Sequence, residues 1–258
     1  MPYSDVGNYT FDTYLDYVQQ GIYLWENSPY VKNYPELYFL NYVLFHRTND
    51  EEIKPCRTYF WKKIKDKVQG KAMVEAALEI NHWCAGEVMY QGTDMRTGSA
   101  LEIYRSGVGR CGEEAVFVVN VMRSAGIPAR PVYVPRWSHC DDNHAWVEVW
   151  CDGDWHYLGA CEPEAVLDKG WFTNAASRAM MIGSRWYDRA MPDEKVIGKD
   201  GMNRIINLLG KYAKTRWITI TVEDLDGTPA AGAKVRAEVM NYGEFSPIAI
   251  MEADKNGC

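Results

Sequence analysis

Apolar side chains in the first ninety residues follow the period of a helix. They recur at steps of three and four residues, the spacing that places side chains on one helix face. The pattern predicts four helical segments within residues 11–90, with a break at Ser28–Pro29 and an end at Gly70. The apolar positions that carry it are Tyr14, Val18, Ile22 and Trp25; Tyr38, Leu40, Tyr42, Val43 and Phe45; Phe60, Ile64 and Val68; and Met73 through Trp83.

A helix of a different kind follows Gly112. The run EEAVFVVNVMRSA is apolar almost all the way round, which is typical of a helix that is buried on most of its surface. Gly126 and Pro128 end this helix in the order usual at a helix C-terminus. The sequence therefore predicts a buried central helix that begins at or just after Cys111.

The sequence predicts strands beyond that helix, and residues 143–150 alternate strictly between apolar and polar. A first strand covers Ala129–Val134, and a second covers Asn143–Trp150. Asp152-Gly153 is a strong signal for a two-residue turn, which leads into a third strand at Trp155–Ala160. Residues 217–252 alternate again and predict three short strands joined by Gly- and Asp-containing turns.

These changes of pattern divide the chain into three segments. We expect a helical N-terminal region at residues 1–69, a core at residues 70–213 and a small all-β segment at residues 214–258. Three strands are too few for a closed sandwich. The last segment is therefore expected to be part of a longer module, or to pack onto the core.

Charge and hydropathy exclude two classes of partner. The chain has 258 residues, a formal net charge of −7 and a pI near 5.3. Because a nucleic-acid binder needs a concentrated basic surface, we expect no nucleic-acid partner. No apolar run approaches the roughly 20 residues of a membrane-spanning helix. The first twelve residues also lack the charged and apolar segments of a secretory signal.

The cysteines do not predict a metal site or a disulfide framework. There are seven of them, widely spaced and without a CxxC pair. His139, Cys140 and Cys151 lack the second ligand pair of a structural zinc site. Gly107-Val108-Gly109 lacks the lysine and the preceding strand of a phosphate-binding loop, so we expect no organic cofactor.

Cys111 is the candidate nucleophile. It lies at the positive end of the predicted helix dipole and follows Arg110, and both features favour the thiolate that attacks a carbonyl. Glu113 and Glu114, in the first turn, oppose the thiolate. The alternative is that Cys111 merely caps a buried helix, although cysteine is a poor cap compared with Ser or Asp.

His144 is the candidate base. With Asp152-Gly153 as the turn, the hairpin register places His144 opposite Cys161. The residues of this strand divide into an apolar set that should face the core, Ala145, Val147 and Val149, and a second set on the other face, His144, Trp146, Glu148 and Trp150. A histidine on the second face can meet a thiol that a helix delivers there.

These residues together resemble the transglutaminase-like superfamily. The resemblance is carried by GRCGEEAVFVVNVMRSAGIPARPVYVP, by DNHAWVEVW and by the strand that begins at Trp155, and it spans roughly residues 70–190. It implies an α+β, papain-like fold in which the Cys111 helix packs on an antiparallel sheet. It also implies acyl-transfer chemistry, as in protein cross-linking enzymes, peptide:N-glycanases and bacterial cysteine peptidases.

The third catalytic residue departs from the family pattern. The family's acid usually lies four residues after the strand's Trp, where this chain has Gly159. Glu162 is the nearest acid, but simple alternation puts it on the opposite face from His144, so only a bulge or bend would bring it round. Asp141, Asp142 or a backbone carbonyl is the alternative orienting group for His144.

The function expected from the sequence is that of a thiol hydrolase or acyltransferase that acts on peptide, protein or glycopeptide amides. Cys111, His144 and Glu162 are the expected catalytic residues, and Arg110, Trp137 and Trp146 are expected to bind substrate. The alternative is a catalytically inactive domain that binds peptides or glycans. The C-terminal strands loosely resemble modules of bacterial secreted and surface proteins, which would favour an extracytoplasmic location.

Overall fold

The computed structural model describes residues 3–92, 94–187, 195–200 and 203–258. The chain forms two compact units. The first unit contains Met1–Tyr133 and Ala145–Thr173, and the second unit contains Val134–His144 and Asn174–Cys258. The three-segment division expected from the sequence stays a prediction.

The first part of the chain is helical, as its apolar period predicts. The helices are α1 Tyr3–Asn8, α2 Phe11–Asn27, α3 Glu36–Phe39, α4 Arg57–Val68, α5 Met73–Glu87, α6 Ala100–Ser106 and α7 Cys111–Ser124, with a 3₁₀ turn at Val31–Asn33 and a π-helical turn at Leu40–Leu44. Helix α2 ends immediately before the predicted break at Ser28–Pro29. Helix α6 has no counterpart among the predicted helices; a capping box between Ser99 and Glu102 begins it.

Helix α7 is buried along its length, as predicted. Every residue from Glu113 to Ser124 is buried, and α4, α5 and α6 pack around it. Gly126 ends the helix in the left-handed region (φ 83°), and the N–H of Ile127 donates to the carbonyl of Met122 at 3.1 Å. The predicted mixed helix-and-sheet core is confirmed.

Strands β1 Met89–Tyr90, β2 Val108–Gly109, β3 Ala129–Val134, β4 His144–Cys151 and β5 Asp154–Leu158 follow the helices or lie between them. Strands β4 and β5 are antiparallel and pair Cys151 with Asp154, as predicted. Their pairing ends at Val147 and Leu158, so the predicted pair of His144 with Cys161 is not formed in this ladder. Asp152 and Gly153 both have positive φ, as a type I′ turn requires. Both faces of β4 are buried, whereas the sequence indicated only one core face.

A buried ion pair accounts for the polar face of β4. Nε of Arg130 donates to Oε2 of Glu148 at 2.6 Å, and the two side chains are 0% and 2% exposed. The guanidinium lies 4.1 Å from the ring centroid of Trp155. Two charges this far from water are tolerated only as a pair, so each holds the other in place.

We expect Glu148→Ala to lower the free energy of unfolding by about 3–5 kcal/mol, because it leaves a buried guanidinium without its anion. Urea unfolding measures the change. The control is Glu79→Ala, which removes an exposed partner of Lys71 and should cost less than about 1 kcal/mol. A loss for Glu148→Ala no larger than that of the control would contradict the assignment.

From Thr173 onward the described elements are mainly strands. They are α8 Thr173–Ala176, β6 Gly183–Trp186, β7 Val196–Asp200, β8 Asn203–Asn207, α9 Leu209–Tyr212, β9 Lys234–Asn241 and β10 Glu244–Glu252. Strand β8 pairs antiparallel with both β6 and β7. Strands β9 and β10 form an antiparallel hairpin.

The first of the three predicted C-terminal strands does not form. Residues 217–222 are irregular, and Trp217 and Ile218 are 72% and 79% exposed. The backbone of Val222 is tied to Gly257 and Ala230, but no described strand pairs along the segment. Alternation alone does not make a strand, because the backbone groups need a partner strand.

None of the helices in the described part of the chain is long and apolar enough to cross a membrane.

Candidate active site

Cys111 is the first residue of α7 and is half-buried. The helix start is fixed by Glu113, whose carboxylate accepts from the N–H of Arg110 at 3.1 Å and from the N–H of Gly98 at 3.0 Å. This cap satisfies the backbone N–H of the residue that precedes the helix. The thiol is therefore held at a defined end of a buried helix.

The guanidinium of Arg110 is occupied by the preceding loop. It donates to the carbonyls of Asp94, Met95 and Arg96 at 3.1–3.4 Å and to Oγ1 of Thr97 at 2.9 Å. Arg110 therefore anchors residues 94–97 beside the start of α7. Its assignment to substrate binding stays a prediction.

Burial raises the pKa of the Cys111 thiol above its ordinary value. Hydrogen bonds from the N–H groups of Ala145 and Gly112 lower this pKa, Glu114 raises it, and Arg110 lowers it. Desolvation therefore outweighs these hydrogen bonds and the charge of Arg110. The contact with Ala145 places the sulfur against the start of β4.

His144 is the first residue of β4 and is buried. Burial lowers the pKa of its imidazole to about 4, and the charge of Asp142 opposes that shift. The imidazole is therefore neutral at neutral pH and can accept a proton. Asp142 acts on His144 electrostatically, which keeps it among the alternative orienting groups.

Glu162 is brought round by a tight turn after β5. The N–H of Glu162 donates to the carbonyl of Gly159 at 3.2 Å, and Cys161 takes a positive φ of 56°. Asn81 of α5 fastens this turn: its Nδ2 donates to the carbonyl of Gly159 at 2.9 Å, and its Oδ1 accepts from the N–H of Cys161 at 3.0 Å. The bend that the sequence required for Glu162 is present.

The Glu162 side chain folds back over Gly159. A Cβ built on Gly159 would lie 2.8 Å from Cβ of Glu162 and closer still to its Oε2. The carboxylate thus fills the space that a side chain at position 159 would enter. Nε1 of Trp171 donates to Oε1 at 2.9 Å, and the buried Oε2 has no hydrogen-bond partner among the described residues.

Glu114 forms a second buried carboxyl group beside this one. It lies one helical turn after Cys111, is 3% exposed, and has its pKa raised to about 8 by burial and by the charge of Glu162. Burial also raises the pKa of Glu162. Two desolvated carboxyl groups repel each other when both are ionised, so Glu114 is protonated at neutral pH.

The two tryptophans expected to bind substrate are packed in the interior. Trp146 is 0% exposed and stacks on Phe172 with ring centroids 4.7 Å apart. Trp137 is 2% exposed and lies 5.3 Å from the ring of His139. Their role in substrate binding stays a prediction.

Within the second unit, Asn241 anchors the loop that leads to His144. Its Nδ2 donates to the carbonyls of Trp137 and Cys140 at 3.0 and 2.9 Å. The neighbouring N–H of Tyr242 donates to Oδ1 of Asp141 at 2.6 Å. The β9–β10 hairpin therefore fixes residues 137–141, three residues before the candidate base.

The sequence singled out neither Asn81 nor Asn241. Each lies far along the chain from the loop that it holds, 78 and 101 residues respectively. An asparagine in a predicted helix or strand carries no signal of such a contact. Among the described residues, no group of three or more His, Cys, Asp and Glu side chains is arranged to hold a metal ion.

Comparison with known proteins gives one family match. The model of the transglutaminase-like superfamily matches residues 62–160. A search of curated proteins finds no match to this sequence.

Three solved structures are similar over part of the chain. A candidate cysteine protease from Cytophaga hutchinsonii has 18% identity, covers 58% of this chain and has a TM-score of 0.35. A candidate protease from Parabacteroides distasonis has 14% identity over 67% of this chain and a TM-score of 0.38. A TGase has 15% identity over 40% of this chain and a TM-score of 0.32. The chain spans 57%, 29% and 31% of the lengths of these proteins.

We expect Asn241→Asp to speed amide hydrogen exchange at residues 137–144. The substitution keeps the size of the side chain but removes the two N–H donors, which leaves buried carbonyls unpaired at a cost of about 1–3 kcal/mol. Hydrogen exchange with mass spectrometry measures the change. Asn256→Asp, the same substitution at an exposed position of the last turn, is the control. Unchanged exchange at residues 137–144 would show that the hairpin does not hold the loop.

Proposed function

We propose that the chain cleaves or transfers peptide-type amides through a thioester on Cys111. The premise is that residues 62–160 are a transglutaminase-like core and that the chain is a cysteine enzyme in kind. The family resemblance expected from the two motifs is confirmed by that match. The amide substrate and the acyl acceptor belong to the proposal.

The observation that carries the proposal is the contact between the Cys111 sulfur and the Ala145 N–H. Ala145 directly follows His144 in β4, and consecutive Cα atoms are about 3.8 Å apart. The strand that presents the imidazole is thus the strand whose next amide contacts the thiol. A thiol and a neutral imidazole held by adjacent backbone are the parts of an acid–base-assisted nucleophile.

The reaction follows from these two groups. His144 accepts the thiol proton as Cys111 attacks the amide carbonyl, and N–H groups at the start of α7 stabilise the oxyanion. The imidazolium then donates its proton to the leaving amine, which departs and leaves a thioester. Water or a second amine attacks the thioester, gives its proton to His144, and restores the thiol as the acyl product leaves.

Glu162 is proposed as the group that orients His144. Its carboxylate fills the space that the family's acid would occupy if it stood at Gly159. Glu162 lies three positions after Gly159 and reaches this space through the turn that Asn81 fastens. An orienting acid fixes the imidazole tautomer and stabilises the imidazolium. The unpartnered Oε2 of Glu162 supports this role.

We expect Cys111→Ala to abolish turnover of peptide amides, with a loss of more than roughly a thousandfold, since no other group can form the thioester. The assay uses fluorogenic peptide amides, with hydroxylamine to capture the acyl group as a hydroxamate. Cys140→Ser, which alters an exposed thiol, should behave as the parent. Turnover that survives in Cys111→Ala would rule out this nucleophile.

The position of the acid is tested by a swap. We expect Glu162→Ala to lower kcat/KM by roughly 10²–10⁴-fold, because the imidazole loses its orienting group. Gly159→Asp alone should also be impaired, since its Cβ collides with Glu162. The double variant Gly159→Asp/Glu162→Ala should recover at least about tenfold of the activity lost in Glu162→Ala. Glu164→Ala, a nearby acid paired with Lys169, is the control. Parent-like activity in Glu162→Ala would exclude the proposed role.

A non-catalytic binding domain is the second candidate. One observation favours it: burial raises the pKa of Cys111 and lowers that of His144, so the resting pair carries no charge at neutral pH. A domain that had lost its activity would show the same uncharged pair. It would bind peptides without forming a hydroxamate from any of them.

A further inference from the structure

Helix α2 exposes an apolar stripe on the side that faces away from the core. Phe11, Val18, Ile22 and Trp25 are 75%, 46%, 56% and 47% exposed. Leu15 lies between them and is half-buried. At 100° per residue, these five side chains, here called the α2 stripe, fall within about 80° of the helix circumference.

The α2 stripe is not the face that attaches the helix to its own unit. That attachment uses the opposite side of α2, whose buried residues are Tyr17, Gln20, Gly21 and Leu24. The hydroxyl of Tyr17 donates to the carbonyl of Lys54, and Nε2 of Gln20 donates to the carbonyl of Ser124 at 3.1 Å. The helix is therefore apolar on two faces, and only one of them is used within the first unit.

The spacing of the α2 stripe is that of a helix–helix seam. Its residues follow one another at steps of four, three, four and three, the a/d repeat by which two helices pack. The stripe is also nearly symmetric about Val18: aliphatic residues flank the centre on both sides, and aromatic residues lie seven positions away in each direction. An antiparallel copy of the helix therefore presents the same kinds of side chain in the same order.

The exposed area is large enough to form the centre of an interface. From about 150–250 Å² for each aromatic side chain, the exposed fractions leave roughly 400–500 Å² of apolar surface on the stripe. Trp25 packs edge-on against Phe39 at 4.9 Å, and the neighbouring Leu37 and Leu40 are 39% and 42% exposed. With these, the patch approaches the roughly 800 Å² per partner of a stable complex.

We propose that the α2 stripe is the interface between two copies of this chain, which pack through their α2 helices in antiparallel orientation about Val18. In this arrangement Phe11 of one copy meets Trp25 of the other, Leu15 meets Ile22, and the two Val18 side chains meet at the two-fold axis. A large side chain meets a large one at each end, and the smallest meets itself at the centre.

The charges beside the α2 stripe give the interface a distinctive salt dependence. Asp12 and Glu26 are exposed on one flank, whereas Tyr14 and Gly21 lie on the other. Antiparallel packing brings Asp12 of one copy towards Glu26 of the other. This exposed repulsion is weaker than the apolar attraction, and salt screens it. Association should therefore strengthen as the salt concentration rises.

Sedimentation of the purified chain from about 1 to 200 μM tests the proposal, a range chosen for a modest interface. We expect a concentration-dependent dimer that tightens between low and high salt. Ile22→Glu should weaken the dimer by roughly a hundredfold or more, because it places a charge in the seam. Tyr23→Glu introduces the same charge one residue away, off the stripe, and should dimerise as the parent does. Circular dichroism confirms that both variants are folded.

Cysteine cross-linking tests the orientation in a Cys140→Ser/Cys258→Ser background, which removes the exposed thiols. Under mild oxidation, a mixture of Phe11→Cys and Trp25→Cys chains should give the mixed covalent dimer in preference to either self-linked dimer. A monomer at every concentration, or a dimer that Ile22→Glu leaves intact, would overturn the interface. Self-linked Phe11→Cys dimers in excess would overturn the antiparallel arrangement.

Discussion

Burial of α7 is the constraint on which the rest of the structure depends. Its residues from Ala115 to Val119 are fully inaccessible, and each large apolar side chain removed from water contributes about 1.5–3 kcal/mol. A helix packed on every side cannot slide or rotate without opening voids, so its first residue has a fixed position. That residue is Cys111. The cap formed by Glu113 fixes this position further, because its carboxylate binds the N–H of Arg110, directly before the thiol, and the N–H of Gly98.

Burial also sets the electrostatics of the two candidate catalytic residues. Desolvation raises the pKa of Cys111 and lowers that of His144, so the pair is uncharged at rest. Proton transfer from thiol to imidazole then has to be made favourable by groups that stabilise the ion pair as it forms. The N–H of Ala145 stabilises the thiolate by a hydrogen bond to the sulfur, and Glu162 is proposed to stabilise the imidazolium. The neutral Glu114 adds no negative charge beside the thiolate at neutral pH.

Much of the fold could be predicted from local sequence patterns. Features that depend on contacts between distant parts of the chain could not. The all-apolar run and Gly126 predicted α7, and the turn at Asp152-Gly153 predicted the register of β4 and β5. The position of Glu162 could not be predicted, because it depends on a positive φ at a cysteine and on an asparagine 78 residues away. The prediction of a strand at residues 217–222 was wrong for a related reason: alternation describes side chains, whereas a strand needs a partner backbone.

The most direct test of the central claim is the rate of Cys111 alkylation by iodoacetamide between pH 4 and 9, in the parent and in His144→Ala. Since the imidazole pKa is lowered to about 4, the base stays neutral above that pH and protonates only as pH falls through it. Above that pH the thiolate–imidazolium fraction does not change with pH, and it exceeds the plain thiolate until the pH passes the imidazolium pKa, which an adjacent thiolate raises. We predict a pH-independent rate at the acidic end of this range that disappears in His144→Ala, whose rate should rise with pH throughout. A parent rate that climbs steadily with pH and is unaffected by the substitution would contradict the account.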